Sequence, residues 1–279
     1  MSAIITLTTD LGFTDAYVAT MKGVILGINP EAKLVDICHT VKPQNILQAA
    51  FILSTAYKFF PQKTIHVVVV DPGVGTERRA IILRTPSADF VAPDNGVLSY
   101  VIQQSSTKPV EENANQQLTE LETELEVVAL TESRFWRSPV SPTFHGRDIF
   151  APVAALLSLG FPPIDFGEAT TSVTMLPPPR PHKALDGSLV GHILHIDSFG
   201  NLITNIKSDD LPQTKQTITI MVGNQLIHGL SRTYAEGRGI LALIGSSGYL
   251  EVSLKGGNVG ALLNAEVGNE VRISHRVSQ

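Results

Sequence analysis

Hydrophobic positions in the first seventy residues switch between continuous β-branched runs and a helical period, and polar residues mark each switch. Residues 4–8 form a β-rich run leading into Asp10. Thr14 and Asp15 then precede Tyr17, Val18, Met21, Val24, Ile25 and Ile28 at helical spacing, which predicts strand, loop, helix. Residues 34–37 predict a second strand. Pro43 is expected in the first turn of a second helix, whose apolar face is Ile46, Ala49, Ala50, Leu53, Ala56 and Tyr57. Residues 64–70 predict a third strand. Two strand-helix-strand units in succession imply an α/β layer architecture with right-handed crossovers and a mainly parallel central sheet.

Farther along, residues 80–83 read as a strand and Pro93-Asp94-Asn95-Gly96 as a turn. Residues 103–126, rich in Gln, Glu, Thr and Asn, read as a surface excursion. A strand at 127–130 and a helix at 148–159 follow, and the first domain is expected to close near Phe166. The proline-rich stretch with Pro177, Pro178, Pro179 and Pro181 has the composition of a semi-rigid bridge. Beyond it, short β-like runs at 189–196, 202–206, 217–222, 240–244, 249–254 and 271–274 are separated by Gly, Asn, Asp and Ser. The expected organisation is an α/β domain over 1–174, a linker over 175–186 and an all-β barrel-like or sandwich domain over 187–279.

The third strand is the most informative segment. Val67-Val68-Val69-Val70 suits a strand covered on both faces, and it ends abruptly in Asp71-Pro72-Gly73-Val74-Gly75-Thr76-Glu77-Arg78-Arg79. Ligands of open α/β sheets lie beyond the carboxyl ends of the strands, where Asp71 stands.

Composition narrows the function classes. With 43% hydrophobic residues, the 279-residue chain can bury one large core or two moderate ones. A net charge of −5 and scattered Lys and Arg argue against nucleic acid as a partner. A single cysteine, Cys38, allows no internal disulfide and no thiolate cluster, as expected of a cytoplasmic protein. The first twenty residues hold neither Lys nor Arg nor an apolar core, and no apolar run is long enough to span a bilayer, so no membrane partner is expected.

Four constellations could carry chemistry. Asp10 and Asp15 flank the loop after the first strand, where carboxylates could grip ribose hydroxyls or an amine; for Asp15, helix capping is an equal alternative. The loop at 73–78 superficially resembles a dinucleotide fingerprint, but Arg78 replaces its third glycine, and no P-loop ending follows. One of Arg78 and Arg79 is expected to be merely a solvated turn charge. His145 lies in a loop before Gly146, where Arg147 and Asp148 could bracket a site electrostatically. In the β domain, Asp197-Ser198-Phe199-Gly200-Asn201, Ser231-Arg232-Thr233-Tyr234 and Gly245-Ser246-Ser247-Gly248-Tyr249 place small polar groups beside aromatics, although each alone reads as a turn. No metal-binding spacing and no Gly-x-Ser-x-Gly occurs, so a metal-free site without a serine nucleophile is expected.

Taken together, Thr9-Asp10-Leu11-Gly12, Asp71-Pro72-Gly73-Val74-Gly75-Thr76, Ala92-Pro93-Asp94-Asn95-Gly96, Thr143-Phe144-His145-Gly146-Arg147-Asp148, Asp197-Ser198-Phe199-Gly200-Asn201 and Ser246-Ser247-Gly248-Tyr249 resemble the S-adenosyl-L-methionine hydroxide adenosyltransferase family in order and spacing over nearly the whole chain. The resemblance implies an α/β domain followed by a β-barrel-like domain, and a homotrimer with sites between subunits. It implies hydrolysis of S-adenosylmethionine to adenosine and L-methionine, with that small molecule as substrate and no cofactor. In the related fluorinases and chlorinases the position of Asp71 is typically tyrosine and that of His145 is not histidine, so the resemblance is to the water-using branch.

By that resemblance, Asp71, Arg78 and His145 are the catalytic residues. Asp71 and His145 would orient the attacking water and take its proton, while Arg78 would hold the carboxylate and stabilise hydroxide character. Asp10 would hold the ribose diol, Asp15 and Asp197 the methionine ammonium, and Ser246 and Ser247 its carboxylate; Asn201 and Tyr234 would recognise adenine. Competing readings are a noncatalytic sensor of S-adenosylmethionine or adenosine, a halide-using adenosyltransferase, which the negative charge of Asp71 opposes, and a metal-dependent nucleoside hydrolase using Asp10, Asp15 and His145.

Overall fold

A computed structural model describes residues 2–106, 117–120, 124–177, 179–212, 218–237 and 239–275. The chain divides into two compact units, Met1–Pro178 and Pro179–Gln279.

The first unit contains β1 (Ile4–Thr9), α1 (Tyr17–Ile28), β2 (Lys33–Cys38), α2 (Ile46–Ala56), β3 (Thr64–Val69), β4 (Ala80–Arg84), β5 (Ala88–Pro93), α3 (Ser99–Ser105), β6 (Gln117–Glu120), β7 (Glu126–Leu130), α4 (Ala151–Ser158), β8 (Gly167–Thr170) and β9 (Ser172–Met175). Seven strands form one sheet in the order β2-β1-β3-β5-β4-β7-β8, and β6 pairs with β9 separately. The contacts β2-β1, β1-β3 and β3-β5 are parallel, whereas β5-β4, β4-β7 and β7-β8 are antiparallel. The sheet is thus mixed: the helical crossovers through α1 and α2 give the parallel β2-β1-β3 group, β5 joins β3 in parallel after the chain passes through β4, and the short β4–β5 connection makes that pair antiparallel.

The alternation of β3 explains its composition. Val67 and Val69 face a core built with Met21 and Ile25 of α1 and with Ala151, Ala154 and Ala155 of α4. Val68 and Val70 face the opposite core, with Ala49 and Leu53 of α2 and Val101 and Ile102 of α3. Both faces of the strand are therefore buried, which an uninterrupted valine run requires.

Several expectations are corrected. Pro43 does not enter α2, because Gln44 adopts φ 64° and Asn45 caps the helix instead, accepting from the Gln48 amide at 3.0 Å. The helix expected from 148 begins earlier, as a π-helical stretch at Gly146–Phe150 that runs into α4. β8 and β9 follow Phe166 within the first unit. The polar run at 103–126 supplies the end of α3 and strand β6, and residues 107–116 and 121–123 lie outside the described residues.

The second unit comprises β10 (His182–Lys183), β11 (Leu189–Ile196), β12 (Leu202–Lys207), β13 (Ile218–Val222), β14 (Gln225–His228), β15 (Ile240–Ile244), β16 (Tyr249–Leu254), α5 (Val259–Leu263) and β17 (Glu270–His275). The antiparallel order β14-β13-β17-β11-β12-β16-β15 brings its end strands alongside each other, so the sheet curls into a nearly closed barrel, with β10 paired to β11. Inward-facing Ile193, Ile206, Ile220, Leu250, Val252 and Ile273 fill it. Thr217 of the expected third run lies outside the described residues. Among the described residues, no helix is long and apolar enough to cross a membrane.

Candidate active site

β3 delivers Asp71 two residues beyond its last paired position, and the loop that follows turns back so that Arg78 grips it. Arg78 Nε donates to Asp71 Oδ1 at 2.9 Å and Nη2 donates to Oδ2, a bidentate pair. The same Nη2 lies 2.8 Å from His145 Nδ1, and the guanidinium carbon stands 5.3 Å from the Phe150 ring centroid. Asp71 and Arg78 retain only 5% and 10% side-chain exposure, so the pair is largely desolvated.

The contact with Arg78 fixes the state of His145. A guanidinium has donors only, so Nδ1 must accept and the ring proton belongs on Nε2. Burial disfavours the imidazolium, Arg78 adds to that effect, and Asp71 and Asp148 oppose it. The net result holds the His145 pKa below the ordinary imidazole value. Neutral His145 thus presents an Nε2–H donor.

Close backbone approach makes this convergence possible. Gly75 has φ +78°, and a Cβ there would lie 2.3 Å from the Pro142 carbonyl oxygen, so the 71–78 loop packs directly against the segment leading to His145. Asn95 Nδ2 donates to the Val70 carbonyl at 2.9 Å, supporting the strand end beneath Asp71.

Neither arginine is a solvated turn charge. Arg79 donates through Nε and Nη2 to Asp94 Oδ2 at 2.9 and 2.5 Å, and reaches Thr170 Oγ1 and the Ser172 carbonyl. Asp94 also accepts from the Thr174 amide at 2.7 Å, so Arg79 ties the end of β5 to β8 and β9. Arg147 and Asp148, expected to bracket the site, instead neutralise each other at 2.6 and 2.7 Å, and Asp148 accepts from the Ser141 amide. They secure the loop that carries His145.

Asp10 follows β1, the strand beside β3, and its Oδ2 accepts from the Gln44 amide at 2.7 Å. Asp15 is exposed and does not cap α1, because Ala16 occupies the N-cap and no side chain caps it. The capping alternative therefore falls away. His39, absent from the sequence-based candidates, is buried beneath the Asp10 loop; its position directly after β2 was the available signal.

In the second unit, Asp197 closes the β11–β12 turn, accepting from the amides of Phe199 and Asn201 and from Asn201 Nδ2, each at 2.9 Å. The turn reading is correct for this carboxylate. Tyr234 donates to Glu251 Oε1 at 2.7 Å, and Ser253 donates to the same oxygen at 2.9 Å. Burial, Glu251 and then Asp197 push the Tyr234 phenol up to about 12, so it remains a neutral donor. Glu251 was missed because an acidic residue in a strand gives no periodic signal. Ser246 and Ser247 are exposed in the turn between β15 and β16, closed by Gly248 N to the Gly245 carbonyl at 2.9 Å. The structure thus joins Asp71, Arg78 and His145 directly and links Asp197 with Asn201.

Comparison with known proteins agrees with this architecture. Residues 5–167 match the SAM hydroxide adenosyltransferase N-terminal domain and residues 191–272 match the C-terminal domain. An (R)-S-adenosyl-L-methionine hydrolase of Methanocaldococcus jannaschii is 35% identical, over 97% of this chain and 95% of that protein. One from Salinispora arenicola is 33% identical over 97% of each. The crystal structure of a conserved protein from Thermotoga maritima superposes with a TM-score of 0.84 at 32% identity, over 97% of this chain and all of that one. Matched across both domains and nearly end to end with its relatives, the chain belongs to the SAM hydroxide adenosyltransferase family.

Proposed function

We propose that the protein hydrolyses S-adenosyl-L-methionine to adenosine and L-methionine. The observation that carries this reading is the desolvated Asp71–Arg78–His145 cluster at the carboxyl end of β3. The water oxygen bonds to ribose C5′ as the C5′–S bond breaks, its electron pair goes to sulfur to give a neutral thioether, and one water proton must leave. The names of the relatives point to the (R) sulfonium epimer as substrate.

Water is a poor nucleophile, so orientation and proton removal are the protein's tasks. His145, with its proton on Nε2, donates to the water oxygen and fixes its direction. Asp71 accepts the departing proton, since each carboxylate oxygen keeps a lone pair beyond its bond to Arg78. This division differs from the shared proton-taking expected of both residues. The leaving thioether needs no acid, and a carboxylate touching the sulfonium would stabilise the reactant more than the transition state. Binding carboxylates therefore belong on the rest of the substrate: Asp10 on the ribose diol, and Asp15 and Asp197 on the methionine ammonium. Ser246 and Ser247 hold its carboxylate. Tyr234 stacks on adenine, and Asn201, whose amide N–H is used by Asp197, offers its carbonyl to the adenine amino group.

The reaction requires no metal or cofactor in this reading. The assembly is a homotrimer with sites between subunits, and a reducing cytoplasm suits the free Cys38.

The test is chromatography of chelator-treated protein incubated with S-adenosylmethionine in ¹⁸O-water, alongside Asp71→Asn. Stoichiometric adenosine labelled at its 5′ oxygen and methionine, from wild type only, are expected. Intact binding without products would favour the sensor; a 5′-halo product on adding chloride or fluoride would favour halogenation.

A further inference from the structure

A chain of polar contacts runs beneath the loop that carries Asp10, and its centre is His39. The His39 residue is 1% exposed and so cannot touch a bound substrate. Its Nδ1 lies 2.9 Å from Thr9 Oγ1, and Thr9 Oγ1 in turn accepts from the Leu11 amide at 3.2 Å. Its carbonyl accepts from the Gly12 amide at 2.7 Å, and the Phe13 ring stands edge-on to the imidazole at 5.0 Å. One residue thereby holds the backbone on both sides of Asp10.

The far side of the ring is anchored too. His39 Nε2 lies 2.9 Å from Asp36 Oδ1, within ion-pair distance though poorly aligned for a hydrogen bond. Lys22 Nζ donates to Asp36 Oδ2 at 2.6 Å. Burial raises the Asp36 pKa, but Lys22, with His39 beside it, outweighs that and holds the carboxyl below its ordinary value. An ionised Asp36 favours the proton on Nε2, which leaves Nδ1 to accept the Thr9 hydroxyl proton and the Thr9 oxygen to accept from Leu11. The Thr9 hydroxyl and the Leu11 and Gly12 amides then each meet an acceptor, which ties the 9–13 segment to His39.

We propose that His39 is a positioning residue for ribose recognition: acting through Thr9 and the Gly12 amide, it fixes the loop so that Asp10 is presented to the ribose diol in one geometry. This rests on the reading of Asp10 as the diol ligand. A loop held in its binding geometry binds substrate more tightly without altering the attack at C5′, so its loosening should appear in KM and not in kcat.

The experiment measures kcat, KM and thermal midpoint for His39→Ala, Thr9→Val, Thr9→Ser and Asp10→Asn, and for Thr9→Val combined with Asp10→Asn. Thr9→Val deletes the hydroxyl at nearly constant volume, which keeps the test usable if His39→Ala fails to fold. Expected are a KM raised about five- to tenfold by Thr9→Val with kcat within twofold, restoration by Thr9→Ser, and less than a twofold further rise when Thr9→Val is added to Asp10→Asn. Full multiplication of the two effects, or a loss confined to kcat or to the thermal midpoint, would overturn the role of His39. An unchanged KM in Asp10→Asn would instead sink the diol assignment itself.

Discussion

Exchanging each of the two adjacent arginines for lysine separates catalysis from scaffolding. Arg78 makes three donor contacts, two to Asp71 and one to His145 Nδ1, with a planar fork that a single ammonium cannot reproduce. Lysine can retain one of them, so two charge-assisted contacts are lost, each worth about 1.5–3 kcal/mol. Part of that cost falls on the folded ground state. The remainder raises the barrier by roughly 3–4 kcal/mol, because His145 is no longer held with Nδ1 as acceptor and Asp71 is free to turn. Arg78→Lys should therefore lower kcat about 10²- to 10³-fold. Arg79→Lys loses the fork to Asp94 and the reach to Thr170 and Ser172, but Arg79 is 32% exposed and its pairing is partly screened. A loss of about 1–2 kcal/mol, or roughly 3–6 °C in thermal midpoint, is expected, with kcat within about threefold of wild type. Adenosine release by chromatography and melting followed by circular dichroism read the two effects independently. Retention of kcat within fivefold in Arg78→Lys, or an equally severe loss of turnover in Arg79→Lys, would show that Arg78 does not hold the catalytic geometry.

Gly75→Ala should lower both kcat and thermal midpoint, because a Cβ would meet the Pro142 carbonyl oxygen at 2.3 Å from a φ of +78°; unchanged values for both would mean that the two loops need not touch. Activity should have an acid limb whose midpoint lies below the ordinary imidazole value, since neutral His145 is the working form and burial with Arg78 delays its protonation; a limb that persists unmoved in His145→Gln would assign it elsewhere. His66, buried against Phe90 with its pKa lowered to about 4, gives a stability dependence of definite sign. Between about pH 6.5 and 4 the unfolded chain binds a proton that the folded chain refuses, so urea midpoints should fall across that window by the equivalent of about 3 kcal/mol, and His66→Phe should flatten the slope; an equal slope in the variant would exclude His66.

What the sequence disclosed follows from which signals are local. β3 was legible because burial on two faces demands an apolar run, and α1 and α2 because each presents a periodic face over several turns. α3 and α5 are too short for a period to establish itself, and β5 was hidden beside the turn signal at Pro93-Asp94-Asn95-Gly96. The choice between Arg78 and Arg79 was undecidable locally, since neighbours in an extended segment point to opposite sides. Only the folded chain shows one turned to Asp71 and the other to Asp94.

The catalytic cluster poses the same difficulty at longer range, because Arg78 and His145 meet across 67 positions of sequence. Topology supplies what spacing cannot. β2, β1 and β3 lie side by side and parallel, with Thr8 opposite Cys38 and Thr9 opposite Val69, so all three strands finish at one edge of the sheet. Each carries a polar residue just past that edge: His39 after β2, Asp10 after β1 and Asp71 after β3. Neighbouring parallel strands are about 4.8 Å apart, so residues far apart in the chain become adjacent for the same reason that the strands pair. A carboxylate or imidazole just past the end of a strand is therefore best judged together with the ends of the neighbouring strands. On that test His39 joins Asp10 and Asp71, although no motif marks it.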